Sequence, residues 1–211
     1  MSVSVMRFAR IAYISALALV MAPAVTPASA AEGNGTAAVR ALYSTLLSSM
    51  QQGSALGPQG RYARILPVVN QVFDVAFMTR LAVGPDWAGL TEPQRQQVTQ
   101  AFERYIAAVY AQRFDSYAGE RLEVTGTQNS VGGSIVQSII VKSDGEPVHI
   151  NYLMRQTSAG WQIADVYLNG TISELATRRS EFAAILRTGG IDRLITMLNG
   201  KAAALGATRT S

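Results

Sequence analysis

The chain has 211 residues, with 18 basic and 14 acidic side chains, no cysteine and a single histidine, His149. Its net charge of +4 is spread over isolated residues, which is too weak and too dispersed for nucleic-acid binding. The absence of cysteine excludes disulfides and thiolate metal sites, and one histidine leaves too few ligands for a histidine-based site. No metal or cofactor is expected.

The first thirty residues have the order of a secretory signal. Arg7 and Arg10 precede an apolar run from Ile11 to Val25, and Ala28-Ser29-Ala30 supplies small residues for cleavage. The run is short for a membrane span, which needs about 20 residues. Residues 1–30 are therefore read as a signal peptide, residues 31–201 as one domain and residues 202–211 as a flexible tail. The expected location is the periplasm, with the protein soluble after cleavage.

Val39, Leu42, Tyr43, Leu46, Leu47 and Met50 recur at three and four, so Thr36 to Gln52 is predicted to be an amphipathic helix. A Gly/Pro/Ser loop over 53–60 should end it. Ile65, Val68, Val69, Val72 and Phe73 then return to helical spacing. Asp74 is a candidate cap for a short helix carrying Phe77, Met78 and Leu81, which Gly84-Pro85 stops. Thr91 and Gln94 form a capping box with Pro93 in the first turn, opening the longest helix, predicted to reach Tyr117. That helix has two apolar stripes. Val98, Phe102, Tyr105 and Val109 form one, and Ile106, Tyr110, Phe114 and Tyr117 the other. A helix apolar on two faces is sandwiched between layers or lines something.

After Gly119 the period falls to two. Leu122 and Val124 alternate with polar residues. Two further strands meet at Ser143-Asp144-Gly145, and Trp161 to Asn169 forms a fourth. Val148, Ile150, Tyr152 and Met154 share one face of the third strand. A capping box at Thr171 and Glu174 is predicted to start a helix with the buried stripe Ile172, Leu175, Ala176, Phe182, Ala183 and Leu186. Gly189-Gly190 breaks it, and a last helix carries Ile191, Leu194, Ile195 and Leu198. The fold class is α+β: a four-stranded antiparallel meander covered by N- and C-terminal helices, since a sheet apolar on one face needs a cover.

Arg179 falls inside the predicted stripe, and a buried guanidinium needs a partner. Asp165 on the preceding strand is the best internal candidate, with Glu181 or a bound phosphate as others. Arg178 lies one residue round and pairs with Glu174 at i,i+4 on a solvated face.

Several of these residues occur in a recognisable order. They are Phe73-Asp74 with Met78 four residues after the aspartate, Gly84-x-x-Trp87, and Gln94-Arg95 followed by Phe102. Arg179-x-Glu181-Phe182 with Gly190, Leu194 and Leu198 follows. From about Leu42 to Lys201 the chain resembles the MlaC or toluene-tolerance family, periplasmic phospholipid-binding auxiliary components of ABC transporters. Its second block is similar to a branch associated with hopanoid synthesis.

The resemblance implies a carrier with acyl chains in an apolar pocket between helices and sheet, and no catalytic residues. It implies two partners: an inner-membrane ABC transporter with an MCE-domain protein, and an outer-membrane lipoprotein complex. The ligand would be a phospholipid or, as the alternative, a hopanoid. Periodicity assigns the pocket walls to Phe73, Phe77, Leu81, Tyr105, Val109, Ile139, Ile150, Tyr152 and Val166, with Arg179 and Asp165 as a head-group or structural ion pair. The remaining alternative is a small-molecule enzyme on a cone-like α+β fold, with Asp165 or His149 as its base.

Overall fold

A computed structural model describes residues 35–207, so the predicted signal segment lies outside the described residues. Among the described residues, five α-helices, one short 3-10 helix (Gly84–Gly89) and a five-stranded antiparallel sheet make up the domain. Among the described residues no helix is long and apolar enough to cross a membrane. The first helix, α1, spans Thr36–Gln51 and α2 spans Gly53–Val72. The predicted loop at 53–60 is not a loop. The chain stays helical on both sides of a single bend at Gly57, where φ is +63° and ψ is 179°, a region essentially reserved for glycine. Buried Arg61 holds the bend's surroundings by donating to the carbonyls of Gly53 and Ala111.

Phe73 leaves α2 in extended conformation and bridges to Ile163, with the Asp74 amide donating to the Ile163 carbonyl at 2.9 Å. Asp74 then caps α3 (Val75–Val83) by accepting from the Phe77 amide, and its other oxygen pairs with Arg155. Helix α4 (Glu92–Arg113) opens with the predicted capping box. It ends at Arg113 rather than Tyr117, because Phe114 leaves helical geometry.

Strands β1 (Arg121–Ser130), β2 (Gly133–Val141), β3 (Pro147–Thr157), β4 (Gly160–Leu168) and β5 (Ile172–Ser173) pair in chain order. The fifth strand corrects the four-strand expectation. Asn169 and Gly170 both take positive φ in the turn after β4, and the chain folds back so that Leu168 pairs with Ile172 and Tyr167 with Ser173. Ladder pairing therefore holds Ile172 out of the helix, leaving it exposed. Helix α5 (Glu174–Ala204) starts only after Ser173, whose Oγ accepts from the Ala176 amide at 2.9 Å. The predicted break is present as a kink at Gly190, with φ +64° and ψ −167°. The tail boundary at residue 202 is also corrected. The helix continues to Ala204, because Ala202 is buried against the core and the Leu205 amide closes the last turn.

One face of the sheet is buried beneath the helices. Val136, Ser138, Ile150, Tyr152, Met154 and Ile163 lie there, in register from β2 to β4. The ladder shifts between Leu153 and Met154, where β4 has one extra residue, Ala164. Ile163 and Val166 thereby share the covered face, while Asp165 is turned to meet the start of α5. Its Oδ1 accepts from the amides of Val166 (2.7 Å) and Leu175 (3.0 Å), and its Oδ2 from the Ser173 hydroxyl (2.6 Å).

This carboxylate satisfies two buried donors and sits at a helix N-terminus, where negative charge is favoured. Asp165→Ala is expected to lower the unfolding free energy by about 3 kcal/mol, since it orphans those donors. Ser173→Ala, which removes the cap and one hydrogen bond to the carboxylate but leaves both amides paired with it, should cost less, about 2 kcal/mol. Urea titration followed by circular dichroism measures both, and equal losses would contradict the anchoring role.

Candidate functional site

Helix α4 faces the covered side of the sheet across a space that neither fills. Phe102, Tyr105, Ile106, Val109 and Tyr110 project from one side of the helix at three- and four-residue spacing, and Phe114 at its C-cap joins them. Ile140, Val148, Ile150, Tyr152, Val166 and Leu168 face them from β2, β3 and β4, with Phe73, Met78 and Leu175 beside them. Between these walls lies a cavity of about 490 Å³. That is within the range of roughly 300–1,000 Å³ typical of small-molecule sites. Most of the wall is apolar. Its charged and amide side chains are four: Arg113, Asn169, Glu174 and Arg178.

Arg178 is largely buried and fully committed. It donates to Glu181 at 2.7 Å and Glu174 at 3.2 Å, reaches the Tyr105 hydroxyl at 3.4 Å, and lies 5.6 Å from the centre of the Tyr105 ring. Burial works against its charge, but Tyr105 and the two carboxylates outweigh that and raise its pKa above the ordinary arginine value. The carboxylates also cancel its charge locally, so Arg178 brings little net field to the cavity.

Deeper in the wall the polar groups are neutral. Tyr43 Oη donates to Ser138 Oγ at 2.6 Å, and Ser138 in turn donates to the Ile150 carbonyl. Tyr110 and Tyr152 border the cavity nearby. Burial pushes all three phenols above the usual tyrosine range, most strongly for Tyr110 and Tyr152. The Tyr43 and Tyr152 rings meet edge to face, 5.9 Å apart, and Tyr110 stacks on Phe114 at 5.8 Å.

Phe73, Tyr105, Val109, Ile150, Tyr152 and Val166, assigned to the walls from periodicity, all border this cavity. Phe77, Leu81 and Ile139 do not. Phe77 is turned outward beneath Arg155, whose guanidinium lies 4.3 Å from the ring centre. Leu81 packs at the margin of the core. Ile139 pairs with His149 on the opposite face of the sheet, and its neighbour Ile140 borders the cavity instead. The expected Arg179–Asp165 pair does not form. Asp165 is occupied by two amides and a hydroxyl, while Arg179 is exposed, its guanidinium over Gly84. The two arginines exchange roles relative to expectation, because the stripe of α5 is Leu175, Arg178, Phe182 and Leu186 once Ile172 belongs to a strand.

His149 is exposed on the uncovered sheet face, and neither it nor Asp165 borders the cavity. Among the described residues no group of three His, Cys, Asp or Glu side chains could hold a metal ion.

An antiparallel sheet, roofed on one face by helices and enclosing an apolar cavity with charge confined to three wall positions, defines the architectural class. Residues 40–200 match the family described as MlaC protein, and the chain belongs to that family. In fold it is similar to a phospholipid-binding protein from Ralstonia solanacearum, determined in complex with a phospholipid. The TM-score is 0.67 at 22% sequence identity, covering 82% of this chain and 98% of that one.

The raised phenol pKa values fix the sign of an alkaline effect. Unfolded tyrosines ionise near pH 10, whereas Tyr43, Tyr110 and Tyr152 keep their protons in the fold. Above that pH the unfolded chain binds fewer protons than the native state, so stability falls as pH rises. The expected slope approaches about 1.4 kcal/mol per pH unit for each phenol. Urea unfolding at intervals from roughly pH 9 to 12 reads it, and Tyr152→Phe should make the decline shallower.

Proposed function

We propose that this protein is a lipid carrier that shelters phospholipid acyl chains in the cavity between α4 and the sheet. The observation that carries the reading is the cavity itself: about 490 Å³ of space walled by aromatic and aliphatic side chains. Its membership of the MlaC family supports it, as does its likeness in fold to a protein determined with a bound phospholipid. Burying a methylene is worth about 0.8 kcal/mol, so a chain of about 15 methylenes costs roughly 12 kcal/mol to expose to water. A lipid crossing an aqueous compartment needs such a wall and no reactive group.

In this account the N-terminal segment exports the chain, and the periplasm is where it works. The chain moves lipid between an outer-membrane lipoprotein complex and an inner-membrane ABC transporter bearing an MCE-domain protein. The role is binding rather than catalysis. The two residues nominated as an enzyme's base, His149 and Asp165, stand outside the cavity, the latter engaged in anchoring α5.

The test is to purify the full chain from its producing cells, extract it with organic solvent and identify released lipids by mass spectrometry. Phospholipid at near-stoichiometric amount is expected. Val109→Trp, which fills the cavity from α4, should lower the lipid content several-fold while leaving the thermal midpoint within a few degrees of wild type. A polycyclic triterpenoid in the extract would reassign the ligand to hopanoids. A lipid-free wild type that also takes up no phospholipid from vesicles would overturn the carrier reading.

A further inference from the structure

Two Asn-Gly pairs lie wholly among the described residues, Asn169-Gly170 and Asn199-Gly200, and the fold treats them differently. Asn199 is inside α5, and its Oδ1 accepts from Arg104 Nε at 3.2 Å and from Nη2 at 2.8 Å. Helical dihedrals keep the Gly200 nitrogen away from the Asn199 side-chain carbonyl, and the guanidinium holds that side chain in place. Asn169 is the opposite case. It takes φ +49° in the turn between β4 and β5, and Gly170 follows at φ +77°. The backbone bond closing this turn runs from the Thr171 amide to the Leu168 carbonyl at 3.2 Å. The Asn169 side chain is exposed and makes no hydrogen bond among the described residues. Gly170 places no side chain beside its own nitrogen and leaves the backbone free to rotate. Asn169 also stands on the cavity wall, with Arg113, Glu174 and Arg178.

We infer that Asn169 is a site of self-modification, at which the Gly170 nitrogen attacks the Asn169 side-chain carbonyl and the wall position gains a carboxylate. The Gly170 amide gives its proton to solvent base, and its nitrogen bonds to Asn169 Cγ. The Cγ–Nδ2 bond then breaks, and the leaving nitrogen takes up a proton and departs as ammonia. Water opens the resulting five-membered imide. Attack at Cγ gives aspartate, and attack at the main-chain carbonyl gives isoaspartate. Either product carries a negative charge where the amide was neutral. Isoaspartate also adds one atom to the main chain of the turn. Leu168 pairs with Ile172 and Tyr167 with Ser173, a register that brings the Ser173 hydroxyl to Asp165. A lengthened turn pulls against that anchor of α5, whereas ordinary aspartate tolerates the same positive φ and leaves it in place. The inference concerns the turn and stands apart from the carrier reading.

The experiment ages the purified full chain at mildly alkaline pH in heavy-oxygen water and maps its tryptic fragments by mass spectrometry at intervals. Fragment 156–178 carries Asn169 as its only asparagine, and fragment 194–201 carries Asn199. The first should gain the amide-to-acid mass with one heavy oxygen, and accept methyl groups from an isoaspartyl methyltransferase. Its conversion should run roughly tenfold faster than that of the second, because Asn199 must first leave its helix. In urea unfolding the aged protein should contain a fraction of lower midpoint that grows with the methyltransferase label, while Asn169→Asp unfolds with wild type. No conversion in fragment 156–178, or equal rates in the two fragments, overturns the site. Conversion with no less stable fraction overturns the link to the anchor of α5. The rates are read on the unmutated chain, so a variant that failed to fold would not remove the test.

Discussion

The buried carboxylate of Asp165 sets the geometry on which the cavity depends. By accepting from the Leu175 amide and the Ser173 hydroxyl, it fixes the point at which α5 leaves the sheet. From there α5 packs chiefly on α4 and α3 and touches the sheet along β4. Helix α1 packs directly on the sheet along β1 and β4, and the large side chains of α4 meet those of β2, β3 and β4 across open space. A sheet with an apolar face must be covered, but it need not be covered to full packing density. Here the cover is pinned at its margins by Asp165, by the Asp74–Arg155 pair and by the bridge from Phe73 to Ile163.

Such a cavity has to stay dry and neutral to be useful. Charge in an apolar space is expensive unless paired, and Arg178 shows the arrangement that meets this constraint. Two carboxylates on its own helix hold it, and Tyr105 covers it. The phenols deeper in the wall are kept protonated by burial, so the interior has polarity without charge. Hydrophobic walls supply affinity without direction.

Much of the fold was legible because the signals were local. The capping box at Thr91 and Gln94, the cap at Asp74, the Asp-Gly turn and the Gly190 break each act within a few residues, and each stands where the pattern places it. The errors arose where a local signal met a tertiary one. Gly57 and Pro58 suggested a loop, yet one permissive glycine dihedral lets the helix resume. Thr171 looked like a cap, but cross-strand pairing claimed Ile172 and delayed α5 to Ser173. That shift rotated the expected stripe and misassigned Arg178 and Arg179. On β2, alternation offered Ile139 and Ile140 equally, and only the register with β3 chooses between them. On α4, both stripes of large residues reach the cavity. A further buried surface of that helix is built from Ala101, Ala107, Ala108 and Ala111, which carry little signal in a search for large apolar side chains.

The central claim is that lipid chains occupy the space between α4 and β3, and crystallography with a brominated-acyl phospholipid tests it most directly. Anomalous bromine peaks should lie inside the walls formed by Val109, Tyr110, Ile150 and Tyr152. Bromine bound only outside those walls, for instance on the uncovered sheet face around Ile139 and His149, would contradict the account.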